Sequence, residues 1–241
     1  MRKDLYQELY DLEKNYWWHV GKREIVFPLI KNYTTAKDTA LDIGCGAGLV
    51  VERLEEFFKE VWGLDYSPEA LKFCQARGLK NLILSSAERV NMSSEKFDLI
   101  TALDVLEHLD DESCLKECHR LLRNGGTMVV SVPSYPSLWS YWDQMLGHKR
   151  RYTKATLGNA LKAAGFTVAK ISYSNSFILL PVLAIRGLKK LFKRKQAESD
   201  FIPTPEIIDT ILKRIYKIES LLVSKAFLPA GLSIVAVAKK I

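Results

Sequence analysis

The chain has 241 residues, a length that fits one α/β domain with an added element and allows a substantial buried core. Its 48% hydrophobic and 26% charged residues are ordinary for a globular protein, which excludes extensive disorder and a bundle of membrane spans. The formal net charge of +7 permits an anionic partner without requiring one, because much of the excess is local, in residues 189–195.

The first part of the chain alternates short apolar runs with segments of helical spacing. After helical residues at 1–33, strands are predicted at 39–43, 61–65, 81–84, 97–102 and 127–132. Helices are predicted at 49–58, from Pro68 onward with Ser67 as N-cap, and at about 111–122. Strands and helices that alternate at this spacing indicate a parallel sheet with helices on both faces. Ligands of such sheets bind outside the carboxyl ends of the strands.

The last third of the chain adds a long segment between two strands. A helix is predicted at 153–164, a sixth strand at 166–173 and a seventh at 233–238. The intervening residues exceed what a minimal α/β domain needs. The sequence therefore predicts four parts, which are a helical cap (1–34), the main domain (35–174), a helical insertion (175–230) and the last strand (231–241).

The cysteines and the first residues bear on the compartment. Cys45, Cys74, Cys114 and Cys118 form neither a disulfide framework nor a paired zinc pattern. The polar start of the sequence has no apolar signal-peptide core. We therefore expect a cytoplasmic protein.

The turn after the first strand is the most informative segment. Residues 41–48 read Leu-Asp-Ile-Gly-Cys-Gly-Ala-Gly, and glycines let a ligand touch the main chain at a strand end. A dinucleotide-binding turn would place its third glycine one residue later, where this chain has Leu49. Asp42 could receive the amino group of an amino-acid moiety, and Asp65, at the end of the second strand, the hydroxyls of a ribose. Together these features indicate an adenosine-type ligand.

These segments resemble the class I S-adenosylmethionine (SAM) dependent methyltransferases. Residues 41–48 resemble the glycine-rich first motif of that family, and residues 64–67 its acidic ribose-binding motif. Residues 103–108 and 121–126 resemble the segments that follow its fourth strand and precede its fifth. The resemblance implies a Rossmann-like, seven-stranded, mostly parallel sheet, with SAM as cofactor and S-adenosylhomocysteine as product. It points to the branch that acts on small molecules, including quinone precursors.

The resemblance also implies which residues bind the cofactor. They follow the first four strands, and they are Asp42, Gly44, Cys45, Gly46, Gly48, Asp65, Tyr66, Ser67, Ser86, Ala87, Glu88, Leu103 and Asp104. One departure concerns the adenine end, where the family often has an acidic residue before an alanine. This chain has Ser86 there, with Glu88 as the substitute.

Methyl transfer depends mainly on positioning, and a base is needed only where the acceptor loses a proton. His108 and His148 are the candidate catalytic residues, because imidazole titrates in the useful range. Arg150 and Arg151, with the adjacent Tyr152, are candidate substrate-binding residues, since guanidinium groups bind phosphate or carboxylate. A solvated, basic helix start accounts equally well for this stretch.

Residues 104–108 also resemble the Glu-x-x-Glu-His metal site of quinone-biosynthesis O-methyltransferases, with Asp104 in place of the first Glu. Asp104, Glu107 and His108 could bind a divalent metal ion. The alternative, which we favour, is that Glu107 and His108 shape the turn after the strand, so that no metal site is expected.

The aromatic residues at 16–19 are interpreted in two ways. They form a lid over the cofactor, with Trp18 and Arg23 as contacts, or they pack as ordinary helix residues.

The insertion bears on partners and location. Its apolar run at 177–185 is too short to span a bilayer, and basic residues follow it at 186–195. This pattern is typical of a peripheral segment at an anionic membrane surface, or of a packed helix with a solvated basic end.

The sequence thus predicts methylation of a small-molecule or lipid-linked acceptor, at oxygen. The alternatives are methylation of nucleic acid, for which no recognition motif is found, and a SAM-binding protein without catalysis.

Overall fold

The computed structural model describes residue 7, residues 10–184 and residues 204–241. Seven strands occur among these residues: β1 (Thr39–Ile43), β2 (Glu60–Asp65), β3 (Leu82–Leu84), β4 (Phe97–Leu103), β5 (Leu122–Pro133), β6 (Thr167–Ser174) and β7 (Ser233–Lys239). The α-helices described over their full length are α1 (Trp17–Tyr33), α2 (Leu49–Leu54), α3 (Pro68–Ala76), α4 (Asp111–Leu121), α5 (Tyr141–Leu146), α6 (Lys154–Ala163) and α7 (Glu206–Lys225). Residues 10–13 and 179–184 are also helical. Short 3-10 turns cover Leu106–His108 and Pro136–Leu138.

The strands form one sheet in the order β3-β2-β1-β4-β5-β7-β6. β1 to β5 all run parallel to one another, and β7 runs antiparallel to both β5 and β6. The predicted seven-stranded, mostly parallel sheet is therefore confirmed. Because the chain turns from β1 toward β2 on one side and reaches β4 on the other, the strand order reverses between β1 and β4. Ligands of open α/β sheets bind at such a switch point.

Helices cover both faces of the sheet, as predicted. Leu115 of α4 and Leu157 of α6 belong to the apolar core on one face. Ile25 of α1 and Val223 of α7 belong to the core on the other face. Because the strands are buried between two such layers, β1 is apolar apart from Thr39 at its start and Asp42.

The N-terminal helix and the insertion helix pack on each other. Gly21 of α1 faces the ring of Tyr216 in α7, and a Cβ at Gly21 would lie 2.4 Å from that ring. The backbone N–H of Trp17 donates to Asp209 of α7 at 3.0 Å. The cap and the insertion thus meet on one face of the sheet, a contact between segments 192 residues apart that local patterning does not reveal.

Three element boundaries differ from the sequence predictions by more than one residue. Residues 10–13 are helical as predicted, but a turn in which Tyr16 N–H donates to the carbonyl of Leu12 interrupts the helix before α1 begins at Trp17. α2 ends at Leu54 rather than residue 58, and residues 55–57 form a turn that leads to the buried Phe58. The strand predicted to begin after Gly125 and Gly126 begins at Leu122, since both glycines form backbone hydrogen bonds with Lys240. The basic residues 189–195 lie outside the described residues.

Candidate active site

A cavity of about 910 Å³ opens at the carboxyl ends of β1, β2 and β4, where the strand order reverses. This volume is in the range of sites that bind a cofactor-sized molecule. The cavity brings together many predicted residues, which are Asp42, Gly44, Cys45, Gly46, Asp65, Tyr66, Ser86, Ala87, Glu88, Leu103, Asp104, Trp18, Arg23, His108, His148 and Arg151. The remaining predicted residues, Gly48, Ser67, Arg150 and Tyr152, are not part of its lining.

The turn at residues 44–48 is here called the glycine loop, and its glycines have different structural roles. Gly46 lines the cavity with a φ of +53°, and a Cβ there would meet nothing within 4 Å. At Gly48 a Cβ would instead lie 2.6 Å from Leu79, so that this glycine allows close packing rather than ligand contact. Gly46 thus leaves open space at the cavity wall in a backbone conformation that disfavours other residues.

Two buried carboxylates flank the glycine loop. Asp65 accepts the N–H of Gly46 at 3.0 Å with Oδ2 and the N–H of Ser67 at 2.9 Å with Oδ1, so it ties β2 to the loop. Asp42 accepts the hydroxyl of Thr101 at 2.6 Å. Burial raises the pKa of Asp65, and it raises the pKa of Asp42 to about 7. Ser67 itself caps α3.

The predicted adenine end is more open. Tyr66 is 62% exposed beside the cavity, and Ala87 is buried. The hydroxyl of Ser86 donates to Glu88 at 3.0 Å, and Glu88 in turn accepts the N–H of Asp110 at 2.9 Å. The carboxylate of Glu88 therefore lies beside Ser86, in the region where the resemblance expects an acidic residue.

The N-terminal helix supplies one wall. Trp18, Lys22 and Arg23 all line the cavity, and the ammonium of Lys22 lies 5.0 Å from the Trp18 ring centroid. The guanidinium of Arg23 donates to the carbonyl of Glu13 at 2.7 Å and so secures the turn before α1. Burial lowers the pKa of Lys22 to about 8 and that of Arg23 to about 10.

Lys22 pairs with Asp104 at the end of β4. Asp104 also accepts the hydroxyl of Ser131 at 2.8 Å. Its carboxylate is thus bound on both sides. The structure therefore does not bring Asp104 together with Glu107 and His108 as the metal set that the sequence pattern suggested.

His148 is held by a buried acid that the sequence did not single out. Its Nδ1 lies 2.9 Å from Oδ1 of Asp143, the third residue of α5. Arg151 donates to both carboxylate oxygens of Asp143, at 2.7 and 3.0 Å. Although burial alone would raise the pKa of Asp143, hydrogen bonds from His148 and Arg151 hold it well below its ordinary value. Since Asp143 is ionised, Nδ1 of His148 carries the proton, and in the neutral ring Nε2 is an acceptor.

Glu107 and His108 lie on the other side of the His148 ring. Oε1 of Glu107 is 4.0 Å from Nε2 of His148, and the two imidazole rings meet edge to face with centroids 4.7 Å apart. Both carboxylate oxygens of Glu107 are buried and have no hydrogen-bond partner among the described residues. Burial raises the pKa of Glu107 to about 8 and lowers that of His108 to about 4.

Glu107, His108 and His148 each offer a ligand atom within 4.8 Å of the others, a spacing that a cation could bridge. The same geometry also fits a second arrangement, in which His148 is a proton acceptor and the neighbouring Glu107 is a neutral acid. The buried, unpaired carboxyl of Glu107 therefore needs a ligand group or a proton.

Arg150 and Tyr152 have structural partners instead of cavity contacts. Arg150 pairs with Asp111, and the hydroxyl of Tyr152 donates to the same carboxylate at 2.8 Å. Arg151 does line the cavity, but its guanidinium is committed to Asp143. The stretch predicted to bind substrate thus fastens the loop that carries His148.

Comparison with known proteins gives a family match for the centre of the chain. A family described as "Methyltransferase domain" matches residues 41–130. A probable S-adenosylmethionine-dependent methyltransferase from Mycolicibacterium smegmatis is 29% identical over 160 residues, which cover 65% of this chain and 61% of that protein. A ubiquinone biosynthesis O-methyltransferase from Xanthomonas oryzae pv. oryzae is 30% identical over 136 residues, or 49% of this chain and 56% of that protein. The chain thus spans about six tenths of the length of these relatives.

Solved structures share the fold. A SAM-dependent methyltransferase from Archaeoglobus fulgidus superposes with a TM-score of 0.58 at 23% identity, covering 90% of this chain and 94% of that one. A SAM-dependent methyltransferase from Clostridium acetobutylicum superposes with a TM-score of 0.58 at 17% identity, covering 90% of this chain and 91% of that one.

No helix in the part of the chain that the structure describes is long and apolar enough to cross a membrane.

Proposed function

We infer that the chain, a class I SAM-dependent methyltransferase by its fold and by its matched residues 41–130, transfers a methyl group to an oxygen atom of a small-molecule or lipid-linked acceptor. The hydrogen bond between Asp143 and His148, at the wall of the cavity that the glycine loop also lines, carries this proposal. Relatives named for ubiquinone O-methylation support the choice of oxygen.

The cofactor end of the cavity suits SAM. SAM supplies a methyl group on a positively charged sulfur, which is a good leaving group and needs no acid. Gly46 leaves the open space that a bound ligand requires, and the Asp65 carboxylate retains acceptor capacity for a ribose hydroxyl beyond its bonds from backbone N–H groups. Asp42 lies buried at the end of β1, where an ammonium group would favour its charged form.

The other end of the cavity suits a hydroxyl acceptor. An alcohol or phenol must lose its proton as its oxygen attacks, so a base within hydrogen-bond reach speeds the reaction. Nε2 of His148 is available because Asp143 holds the proton on Nδ1. The ion pair of Asp143 with Arg151 fixes the carboxylate, which in turn fixes the plane of the imidazole.

Glu107 adds a second polar contact for the acceptor. Its raised pKa keeps the carboxyl neutral near pH 7, so it can donate one hydrogen bond and accept others. An acceptor with two neighbouring oxygen groups would engage His148 with one and Glu107 with the other.

The test is a methyl-transfer assay with isotopically labelled SAM. Calorimetry first compares SAM with NAD, and binding of SAM alone is expected. Aromatic diols, aliphatic alcohols and amines are then tested as methyl acceptors, each with and without an apolar chain. Every assay is run in the presence and in the absence of EDTA. We expect O-methylated products that EDTA does not abolish. Products methylated only at nitrogen or carbon would overturn the assignment to oxygen, and absence of SAM binding would overturn the whole proposal.

A further inference from the structure

The side of α7 that faces away from the sheet is strongly apolar. Its inner side buries Tyr216 and Val223. Its outer side exposes a stripe at helical spacing, which we call the outer face of α7 and which comprises Ile207, Ile211, Ile218 and Leu221, with exposures of 74%, 50%, 56% and 62%. Exposed apolar side chains of this number on one helix mark an interaction surface.

The charges beside this stripe are basic. Arg214, Lys217 and Lys225 are exposed along the same helix. Of its acidic residues, Asp209 is bound to Lys213 and to the N–H of Trp17, and Glu219 is buried. Glu206, in the first turn, is the exposed acid that remains on α7. The outer face therefore combines apolar side chains with positive charge.

A second apolar segment connects this region to the cavity. Residues 177–184 contain no charged side chain. Ile178 and Val182 line the cavity, whereas Leu180 and Leu183 are exposed at 75% and 39%. The segment follows Ser176, whose N–H donates to Glu219 of α7 at 2.8 Å. Residues 177–184 thus separate the cavity from the surroundings, with apolar side chains toward both.

We propose that the outer face of α7 and residues 177–184 dock on an anionic lipid bilayer surface, and that the acceptor is an amphiphile whose apolar chain enters the cavity past residues 177–184. The second half of this statement rests on the proposed methyl transfer; the docking does not. Apolar side chains inserted at the headgroup level, with lysine and arginine beside them, are the pattern of peripheral membrane attachment.

Charge favours a bilayer over a second copy of the chain. Two outer faces packed on each other would bring three exposed cations from each copy, Arg214, Lys217 and Lys225, into one interface, with Glu206 as the exposed acid of each helix. Anionic headgroups supply the opposite charge throughout. Each basic residue near such a surface strengthens binding roughly fivefold.

Flotation with vesicles tests the docking. The full chain is mixed with vesicles of phosphatidylcholine alone or with 30% phosphatidylglycerol, where we expect flotation mainly with the anionic vesicles. Ile211→Ser/Ile218→Ser should lower the partition coefficient roughly tenfold per residue, and Arg214→Gln/Lys217→Gln roughly 25-fold in total. Matched controls are Leu84→Ser/Ile241→Ser, at exposed apolar residues elsewhere, and Lys59→Gln/Lys116→Gln, with the same loss of charge. Both controls should float like the wild type.

Three results would overturn the docking. The first is a wild type that binds SAM but does not float, and the second is α7 variants that float as well as their controls. The third is a wild-type dimer in sedimentation that dissociates in Ile211→Ser/Ile218→Ser, while neither protein binds vesicles. None of these touches the methyl transfer, which calorimetry with SAM and a water-soluble acceptor tests separately. The entry route predicts that anionic vesicles raise kcat/KM for a chain-bearing acceptor in the wild type but not in Ile211→Ser/Ile218→Ser. Equal stimulation of both would overturn it.

Discussion

The imidazole of His148 and the carboxylate of Asp143 share a hydrogen bond of 2.9 Å although both are almost completely shielded from solvent. Asp143 is fixed independently, by Arg151 and by the N–H of Ser140 at 2.8 Å. The pair therefore presents a histidine of defined tautomer to the cavity, which is what a proton acceptor for a hydroxyl requires.

Asp143→Asn should lower kcat on the order of 100-fold and leave the dissociation constant of SAM unchanged, because the amide no longer holds the proton of His148 on Nδ1. Steady-state kinetics measures kcat, and calorimetry measures the dissociation constant of SAM.

Ser140→Ala is the control for this variant. It removes the 3.0 Å hydroxyl contact to Asp143 and weakens the start of α5, which costs about 1 kcal/mol of stability. Its kcat should stay within a few-fold of the wild type. Equal kcat in Asp143→Asn and the wild type would leave Asp143 with a structural role alone.

The two histidines should separate kinetically. His148→Gln should reduce kcat by at least 100-fold without changing SAM affinity. His108 has a pKa lowered to about 4 by burial and by His148, so it stays neutral at physiological pH, and His108→Gln should change kcat less than tenfold. Equal losses in both variants would point to a joint role, such as binding a cation, and chelation by EDTA would then abolish activity.

Gly46→Ala should weaken SAM binding, since a methyl group at a φ of +53° is strained and occupies open space at the cavity wall. The strain alone costs about 1–2 kcal/mol. Gly78 provides a matched control, with a φ of +86° and equally open surroundings but no place in the cavity lining. Gly78→Ala should lose comparable stability while its calorimetric titration with SAM stays that of the wild type. Similar SAM affinity in both variants would refute the placement of the cofactor against Gly46.

The cofactor end of the site could be predicted from sequence because its signals are local. The glycine loop and Asp65 follow directly from strands that read as apolar runs, and the parallel order of β1 and β2 brings their ends together. The family resemblance agrees with the match of residues 41–130 to a methyltransferase domain. Which of the predicted residues contact SAM stays a prediction.

The acceptor end and the wall that α1 forms could not be predicted in the same way, because their contacts join distant or irregular segments. Lys22 meets Asp104 across 82 residues, and α1 meets α7 across almost the whole chain. Asp143 reads as an ordinary first-turn acid of a short helix, and only the folded loop shows that Arg151 supports it rather than binding substrate. In the sequence, an acid five residues before a histidine looks the same whether it binds that histidine or only caps a helix.

The buried carboxyl of Glu107 should make stability depend on pH. An unfolded glutamate titrates near pH ~4.3, whereas burial raises the pKa of Glu107 to about 8 in the folded protein. The folded state therefore binds this proton more tightly. The resulting stabilisation is fully present below the unfolded pKa and is lost as the pH rises through about 8.

Glu107→Gln removes this titration while preserving the shape of the side chain. Between pH 5 and pH 8 the unfolding free energy of the wild type should fall by on the order of 3 kcal/mol more than that of the variant. Asp42, whose pKa is also raised, contributes equally to both proteins and cancels in the difference. Urea unfolding at several pH values, followed by circular dichroism, measures the two curves. Parallel curves would mean that Glu107 is ionised in the folded protein, held by Lys22 or by a bound cation, and its assigned role as a neutral contact for the acceptor would be wrong.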